Sequence, residues 1–437
     1  MTEQIFRTIE KFIPSFLYKF LQPHYHYLLS LIGAVFYNFP SKKLIVIGVT
    51  GTKGKSTTSE IIYRIFKEAG FKTALANTVE FTIGEKSQRN YFKMTTPGRF
   101  FLQKFLSRAL KEKCTHVVLE LTSEATLQSR HKFIYLDALV VTNVSKEHIE
   151  RHGSYENYKM AKLQIAKEML SGIKKNPILI TNADDGELQI FRDLSISKQF
   201  TFSLKDFSPY NLSTEETSFT FNNRNVKAPF VGKFNLENCL AAITLATSFE
   251  IPGEKIISAI SKFKGTLGRV QKIEMGQKFR VVVDYAHTSD SMKKLYEIFH
   301  PKGPQPQGPP LGLRPSSSLI CVFGATGGGR DKWKRPEMGR VASNYCDHII
   351  LTNDDPYDED PQKIVEEIKK GIEKKEVRIE IDRRKAIALG LSYAKENSTV
   401  LITGKGTDPY LMEKNGKKIP WDDATITKEE LRKMLKS

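Results

Sequence analysis

Residues 46–62 read VIGVTGTKGKSTTSEII. The β-branched run from Leu44 to Val49 predicts a buried strand, and the apolar spacing of Ile61, Ile62, Ile65, Phe66 and Ala69 predicts a helix. Between them lies a glycine-rich turn, so the order is strand, turn, helix. Gly51 and Gly54 let the backbone aim its N–H groups at one point, where the new helix N-terminus adds partial positive charge. Thr52, Lys53 and Thr57 complete this phosphate-cradling loop. Lys55 then reaches the β- and γ-phosphates of a bound nucleotide, and the Ser56 hydroxyl is placed for Mg2+. The strict motif has glycine where Val49 stands, so this loop is the variant T-G-T-x-G-K-S.

Outward from this loop the same alternation continues. THVVLEL (115–121), LDALVVTN (136–143) and NPILITNADD (176–185) read as buried parallel strands separated by helical stretches. IPGEKIISAISKFKGTLGRVQ (251–271) reads as a helix entering a linker near Gly268. A second alternation follows, with strands in FRVVVDYAH, SLICVFG, HIILTND and STVLITGKG. The expected fold is α/β: a P-loop domain with a mainly parallel sheet at 41–267, and a Rossmann-like domain at 268–437. Residues 301–318, PKGPQPQGPPLGLRPSSS, interrupt the second domain as a flexible insertion. Residues 1–40 carry Phe6, Ile9, Phe12, Ile13, Phe16, Leu17 and Phe20 at helical spacing, interrupted by Pro14 and closed by Pro23 and Pro40. They predict a short helical segment packed on the main body, with a weak membrane-surface contact as the alternative.

The chain has 437 residues, more than one core, and its 67 basic against 49 acidic residues give a net charge of +18. Such a charge suits polyanionic small molecules or nucleic acid, or is simply a solvated basic surface. The basic residues are scattered rather than clustered, so nucleic acid is not the expected partner. Cys114, Cys239, Cys321 and Cys346 lie far apart in apolar segments without C-x-x-C spacing, which predicts reduced core thiols. The apolar run from Tyr27 to Tyr37 is about half of the ~20 residues a membrane span needs, and no secretory leader is visible. The expected location is the cytoplasm.

Nine motifs, in order, resemble the Mur ligase family, most closely its muramyl-tripeptide synthetase branch. They are TGTKGKST, TTP (95–97), LELTSEATLQSR, TNVSKEHIERHGSYENYKMAK, GKFNLENCLAA, GRVQ, VDYAHTSDS, FGATGGGRDKWKRPEMG and GKGTDPY. The resemblance implies an ATP- and Mg2+-dependent amide ligase that adds an amino acid to a UDP-muramyl dipeptide through an acyl phosphate. Such chemistry needs phosphate positioning, metal charge and two anionic substrates brought together.

Glu120 and His148 follow consecutive strands at the end where parallel sheets bind ligands, and with Ser56 they form an acceptable Mg2+ set. Lys162 aligns with a lysine that the family carbamylates to hold a second Mg2+; from sequence alone it reads as an ordinary surface lysine. Lys55, Glu120, His148 and Lys162 are the expected catalytic residues. The resemblance further implies that Thr95, Thr96, Ser123, Gln128 and Arg130 hold the muramyl peptide. Asn238, Arg269, Asp284 and His287 would contact the nucleotide, Arg269 arriving from a hinge at Gly268. Arg330, Asp354, Asp355, Gly404 and Asp408 would receive the amino acid.

The chain departs from the branch in three places. Only about 40 residues precede the P-loop strand, where relatives carry a longer uridine-gripping domain. The D-N-P-R acceptor motif reads DDPY at 354–357, losing the arginine that marks diaminopimelate users, and Thr407-Asp408 stands for His-Glu. Glu124 replaces a common histidine. The rival readings are a folylpolyglutamate-type ligase of the same architecture and a non-catalytic nucleotide-binding partner protein; the latter would have lost Lys55, Glu120 or His148, and all three are present.

Overall fold

The computed structural model describes residues 15–147, 149–300, 318–329, 331–373 and 375–436. His148 and Arg330, two of the expected site residues, lie outside them, as do the first fourteen residues and all of the 301–318 insertion except Ser318. The chain packs as two units. One comprises the described residues up to Ser203 with Asn238–Ile256; the other comprises Leu204–Glu237 with Ile257 onward.

The first unit is built on an eight-stranded sheet in the order β4-β3-β2-β5-β1-β6-β7-β8. Its strands are β1 (Ile45–Thr50), β2 (Thr73–Ala76), β3 (Glu80–Ile83), β4 (Lys86–Arg89), β5 (His116–Glu120), β6 (Ala138–Val141), β7 (Ile178–Asn182) and β8 (Lys198–Phe202). All neighbours from β2 to β8 in this order pair in parallel, and β3 pairs antiparallel with both β2 and β4. The central strands β1, β5, β6 and β7 are buried almost throughout, which is why they read as unbroken apolar runs. Helices α1 (Ser15–Phe36), α2 (Lys55–Glu68), α3 (Arg99–Lys111), α4 (Ser123–Leu127) and α5 (Tyr155–Leu170) lie against this sheet or against one another.

Helix α1 corrects one expectation: Pro23 sits inside the helix and does not close it. A helix-interior proline costs about 3 kcal/mol. Beyond it Ser30 and Ala34 are buried, and the helix packs against α3. None of the described helices is long and apolar enough to cross a membrane.

The second unit holds a six-stranded sheet, in the order β12-β13-β17-β14-β15-β16. The strands are β12 (Gln271–Lys272), β13 (Arg280–Asp284), β14 (Leu319–Phe323), β15 (His348–Leu351), β16 (Val377–Ile379) and β17 (Thr399–Thr403), parallel apart from β12. A small antiparallel sheet of β9 (Tyr210–Leu212), β10 (Thr217–Phe221) and β11 (Arg224–Ala228) belongs to the same unit, tied to it by Glu215, which accepts from Lys272 and Arg280 at 2.7 Å each. Gly268, the expected hinge, lies inside this unit. A Cβ there would come within 2.6 Å of the Thr407 backbone nitrogen, at φ +65°.

The cysteine expectation holds for two residues and fails for two. Cys114 and Cys239 are free and buried, but Cys321 and Cys346 form a disulfide. Cys346 caps the helix Lys334–Tyr345 and leads into β15, the parallel neighbour of β14, so 25 residues of separation close to a Cα–Cα distance of 6.0 Å. Sequence spacing carries no sign of that return.

Candidate active site

Strand register sets the geometry around the glycine-rich loop. Val49 of β1 pairs with Glu120 of β5, and Thr50 pairs with Val141 of β6. The loop that leaves β1 is therefore flanked by Glu120 on one side and by Thr142 and Asn143 on the other. Thr52 N–H donates to the Asn143 carbonyl at 2.8 Å, Lys53 N–H to Asn143 Oδ1 at 2.9 Å, and Thr142 Oγ1 to the Lys53 carbonyl at 2.7 Å. Both glycines are required by space as well as by φ. A Cβ at Gly51 would lie 2.0 Å from Thr142 Oγ1, and one at Gly54 would lie 2.0 Å from Asn238 Oδ1. That contact is where Asn238 meets the loop.

Two lysines converge here. Lys55 Nζ donates to the carbonyls of Gly51 and Thr52 at 3.1 and 2.9 Å, and Lys162 Nζ donates to the same Gly51 carbonyl at 2.7 Å. Lys162 is not the surface residue its sequence suggests: it is 1 % exposed and its ammonium lies 4.7 Å from the centre of the Tyr158 ring. Burial, reinforced by the charge of Lys55, pushes its pKa well below the ordinary lysine value. The amine is therefore disposed to be neutral. Tyr158 in turn donates to Thr52 Oγ1 at 2.9 Å, locking helix α5 to the loop.

Glu120 accepts from Ser56 Oγ at 2.9 Å, and both side chains are buried. It also accepts from Thr78 N–H at 2.9 Å and from Thr78 Oγ1 at 3.0 Å to either oxygen, while Thr78 Oγ1 lies 2.8 Å from Thr95 Oγ1. Thr78 was absent from the sequence-derived set. No motif marks it; only the fold brings the end of β2 beside Glu120. Hard oxygens from a hydroxyl and a carboxylate fit Mg2+, which takes few protein ligands and completes its shell with phosphate and water. Among the described residues no three His, Cys, Asp or Glu side chains gather as a fuller metal cage.

The residues expected to hold the muramyl peptide form the adjoining wall. Thr96 Oγ1 donates to the Glu120 carbonyl at 3.2 Å, and Arg130 Nη1 donates to the Thr96 carbonyl at 2.7 Å. Arg130 Nε and Nη2 donate to Gln128 Oε1 at 3.0 and 2.5 Å. Ser123, at the start of α4, lies 3.1 Å from His152 Nε2, a partner that sequence reading missed. Glu124, the unexplained substitution, pairs with Arg151 at 2.9 Å.

In the second unit Asp284 ends β13 and accepts from Val270 N–H at 2.7 Å and Ala286 N–H at 2.6 Å, so it shapes the turn that carries Arg269. Burial raises its pKa against the pull of Arg269 and these two donors. Arg269 stacks over Tyr285 at 4.2 Å, and His287 Nδ1 donates to the Tyr285 carbonyl at 2.8 Å. Gly404 N–H bonds the Asp284 carbonyl at 3.2 Å, a consequence of β13 and β17 being neighbours. Around Gly404 lies a buried acidic cluster. Lys405 donates to Asp355 at 2.7 Å and Asp408 at 3.1 Å, with Asp354 at 4.0 Å. Burial opposes the Lys405 charge, but Asp408, Asp354 and Asp355 outweigh it and hold the ammonium above its usual range. Asp354 keeps one buried oxygen, Oδ2, without a hydrogen-bond partner.

Comparison with known proteins gives matches along most of the chain. The Mur ligase middle domain matches residues 49–246, and the Mur ligase glutamate ligase domain matches 268–406. The UDP-N-acetylmuramoyl-L-alanyl-D-glutamate–2,6-diaminopimelate ligase of Syntrophomonas wolfei is 34 % identical over 420 residues, covering 93 % of this chain and 82 % of that protein. The UDP-N-acetylmuramyl-tripeptide synthetase of Borreliella burgdorferi is 34 % identical over 427 residues, covering 94 % and 80 %. A solved structure of a UDP-N-acetylmuramoyl-L-alanyl-D-glutamate–2,6-diaminopimelate ligase superposes with a TM-score of 0.59 at 27 % identity, covering 90 % of this chain and 79 % of that one.

Proposed function

The chain belongs to the Mur ligase family, and from that premise we propose that it joins an amino acid to a UDP-muramyl dipeptide at the expense of ATP, in peptidoglycan synthesis. The observation that carries the reading is the convergence of Lys55 and Lys162 on the Gly51 carbonyl, with the Ser56–Glu120 pair beside it.

The reaction has two steps. A carboxylate oxygen of the donor attacks the γ-phosphorus of ATP, forming an acyl phosphate and releasing ADP. The amine of the amino acid then attacks the acyl carbon; phosphate leaves, and the amine loses a proton. Gly51, Thr52, Lys53 and Gly54 supply the backbone cradle for the triphosphate, with Ser56 and Thr57 opening the helix behind it. Lys55 leaves its two carbonyl partners for the phosphate oxygens, a charge-assisted exchange. Mg2+ would be held by Ser56 and Glu120 with His148, and when bound it neutralises phosphate charge.

Lys162 is the second half of the proposal. A neutral buried amine adds to CO2, giving an N-carboxylate and one proton, and so turns a would-be cation into an anionic oxygen ligand. Burial beside Lys55 lowers the Lys162 pKa and so favours the neutral amine that this addition needs. Thr95, Thr96, Gln128, Arg130 and Ser123 orient the donor. Asp354, Asp355, Gly404 and Asp408, with Arg330, receive the amino acid; Asn238, Arg269, Asp284 and His287 serve the nucleotide. Phosphate release should require ATP, UDP-MurNAc-L-Ala-D-Glu and an amino acid together, and Lys55→Ala should abolish it while leaving the fold intact. Wild-type turnover in Lys55→Ala would refute the reading.

A further inference from the structure

Helix α1 is fastened to the donor-binding loop. Ser30 Oγ donates to the Ser129 carbonyl at 2.6 Å, and Ser129 itself sits at φ +52°. Arg99, the first residue of α3, donates from Nε and Nη2 to the Gln128 carbonyl at 3.2 and 2.9 Å, and from Nη2 to His26 Nδ1 on α1. Because that nitrogen accepts, His26 is neutral; burial first, then Arg99 and Arg130, pull its pKa down to about 4. Arg130 closes on the Gln128 side-chain oxygen from the other side.

One glutamine thus holds two half-buried guanidinium groups, through its backbone oxygen and its side-chain oxygen. Among the described residues neither guanidinium meets a carboxylate at salt-bridge distance, and Arg99 Nη1 makes no hydrogen bond. Glu124, the acid nearest Arg130 by charge, is committed to Arg151. Partly desolvated cations without a counter-charge are costly, so this arrangement is suited to an incoming anion. The surrounding sequence has the same sign: residues 86–111 hold seven lysines and arginines and no acid. Two guanidinium groups held by one glutamine favour a multiply charged anion over a single carboxylate.

We propose that Arg99, steadied by His26 of α1 and Gln128, is an oxyanion subsite for the diphosphate of a nucleotide-linked donor. The inference rests on the donor assigned under Proposed function. In it α1 is a wall of the substrate site, and Arg99 lies outside the residues that the family resemblance supplied.

The test is calorimetric titration of the full chain, saturated with Mg-ADP to fill the phosphate loop, at two salt concentrations. Arg99→Gln should weaken binding of UDP-MurNAc-L-Ala-D-Glu about ten- to a hundredfold and flatten its salt dependence, as expected for a lost charge-assisted contact. Arg99→Lys should keep most of the salt dependence. Nucleotide-free MurNAc-L-Ala-D-Glu should bind wild type and Arg99→Gln alike. Equal affinity of both proteins for the UDP-linked donor overturns the subsite, and an equal loss with the nucleotide-free donor overturns the diphosphate assignment. Failure of the functional reading is separate: wild type would then not turn over the muramyl donor at all, whatever Arg99 does.

Discussion

Replacing Thr78 by valine keeps volume and branching and removes one hydroxyl. That hydroxyl lies 3.0 Å from both Glu120 oxygens and 2.8 Å from Thr95 Oγ1. Thr78 Oγ1 donates its single proton to Glu120, so Thr95 must donate its own proton to Thr78. Thr95 is then left with lone pairs to present to the donor substrate. Valine breaks this relay at both ends. Glu120 keeps the Thr78 N–H at 2.9 Å and Ser56 Oγ at 2.9 Å, so it stays placed but loses one of its three donor groups. A hydrogen bond to a charged group contributes about 1.5–3 kcal/mol, or roughly ten- to a hundredfold in kcat/KM. Steady-state phosphate release should show that loss with a raised KM for the donor, an unchanged KM for the amino acid, and recovery in Thr78→Ser. The reasoning fails if Thr78→Val stays within about threefold of wild type with its donor KM unmoved.

Lys162→Ala should cut turnover strongly, and short carboxylic acids should restore part of it by supplying the missing oxygens; an unimpaired variant would remove the carbamate from the account. Asp354 has its pKa raised to about 6, mainly by burial, so between the unfolded value near 3.8 and that point the native state binds more protons than the unfolded one. Its contribution to stability is therefore lost as pH rises through that window, and Asp354→Asn should melt higher than wild type above pH 6 and alike near pH 4. Tyr357 stands where diaminopimelate users carry arginine, beside the acidic run Asp358, Glu359, Asp360, so acceptors without a distal carboxylate, lysine among them, should win a competition against meso-diaminopimelate at equal concentration. Preference for diaminopimelate would show that inference to be wrong.

The parallel strands were legible because both their faces are buried. β1, β5, β6, β7, β13, β14, β15 and β17 each carry an apolar run of three or more residues, and the loop after β1 announces its chemistry through glycine, lysine and serine in fixed order. The small sheet of β9 to β11 was not read, because its strands are short and half-exposed, with polar residues such as Asn211, Ser218 and Lys227 on them. Within the site, Thr78 lies in none of the nine motifs, and Asn143, His152 and Lys405 lie inside motifs without their partners being readable there. All four reach their contacts through register and return of the chain, which no local spacing encodes. Lys162 shows the converse: its helical setting suggested a solvated surface, and its burial removes that reading. The Cys321–Cys346 pair was missed for the same reason as Thr78: the contact joins segments distant in sequence that the sheet order brings together.

The central claim is that ATP activates a carboxylate, and oxygen isotopes report that step directly. A donor labelled with oxygen-18 in both oxygens of the reacting carboxylate should pass one label to phosphate in every turnover and keep the other in the new amide. Unlabelled phosphate, released at the same rate as the amide forms, would contradict the account.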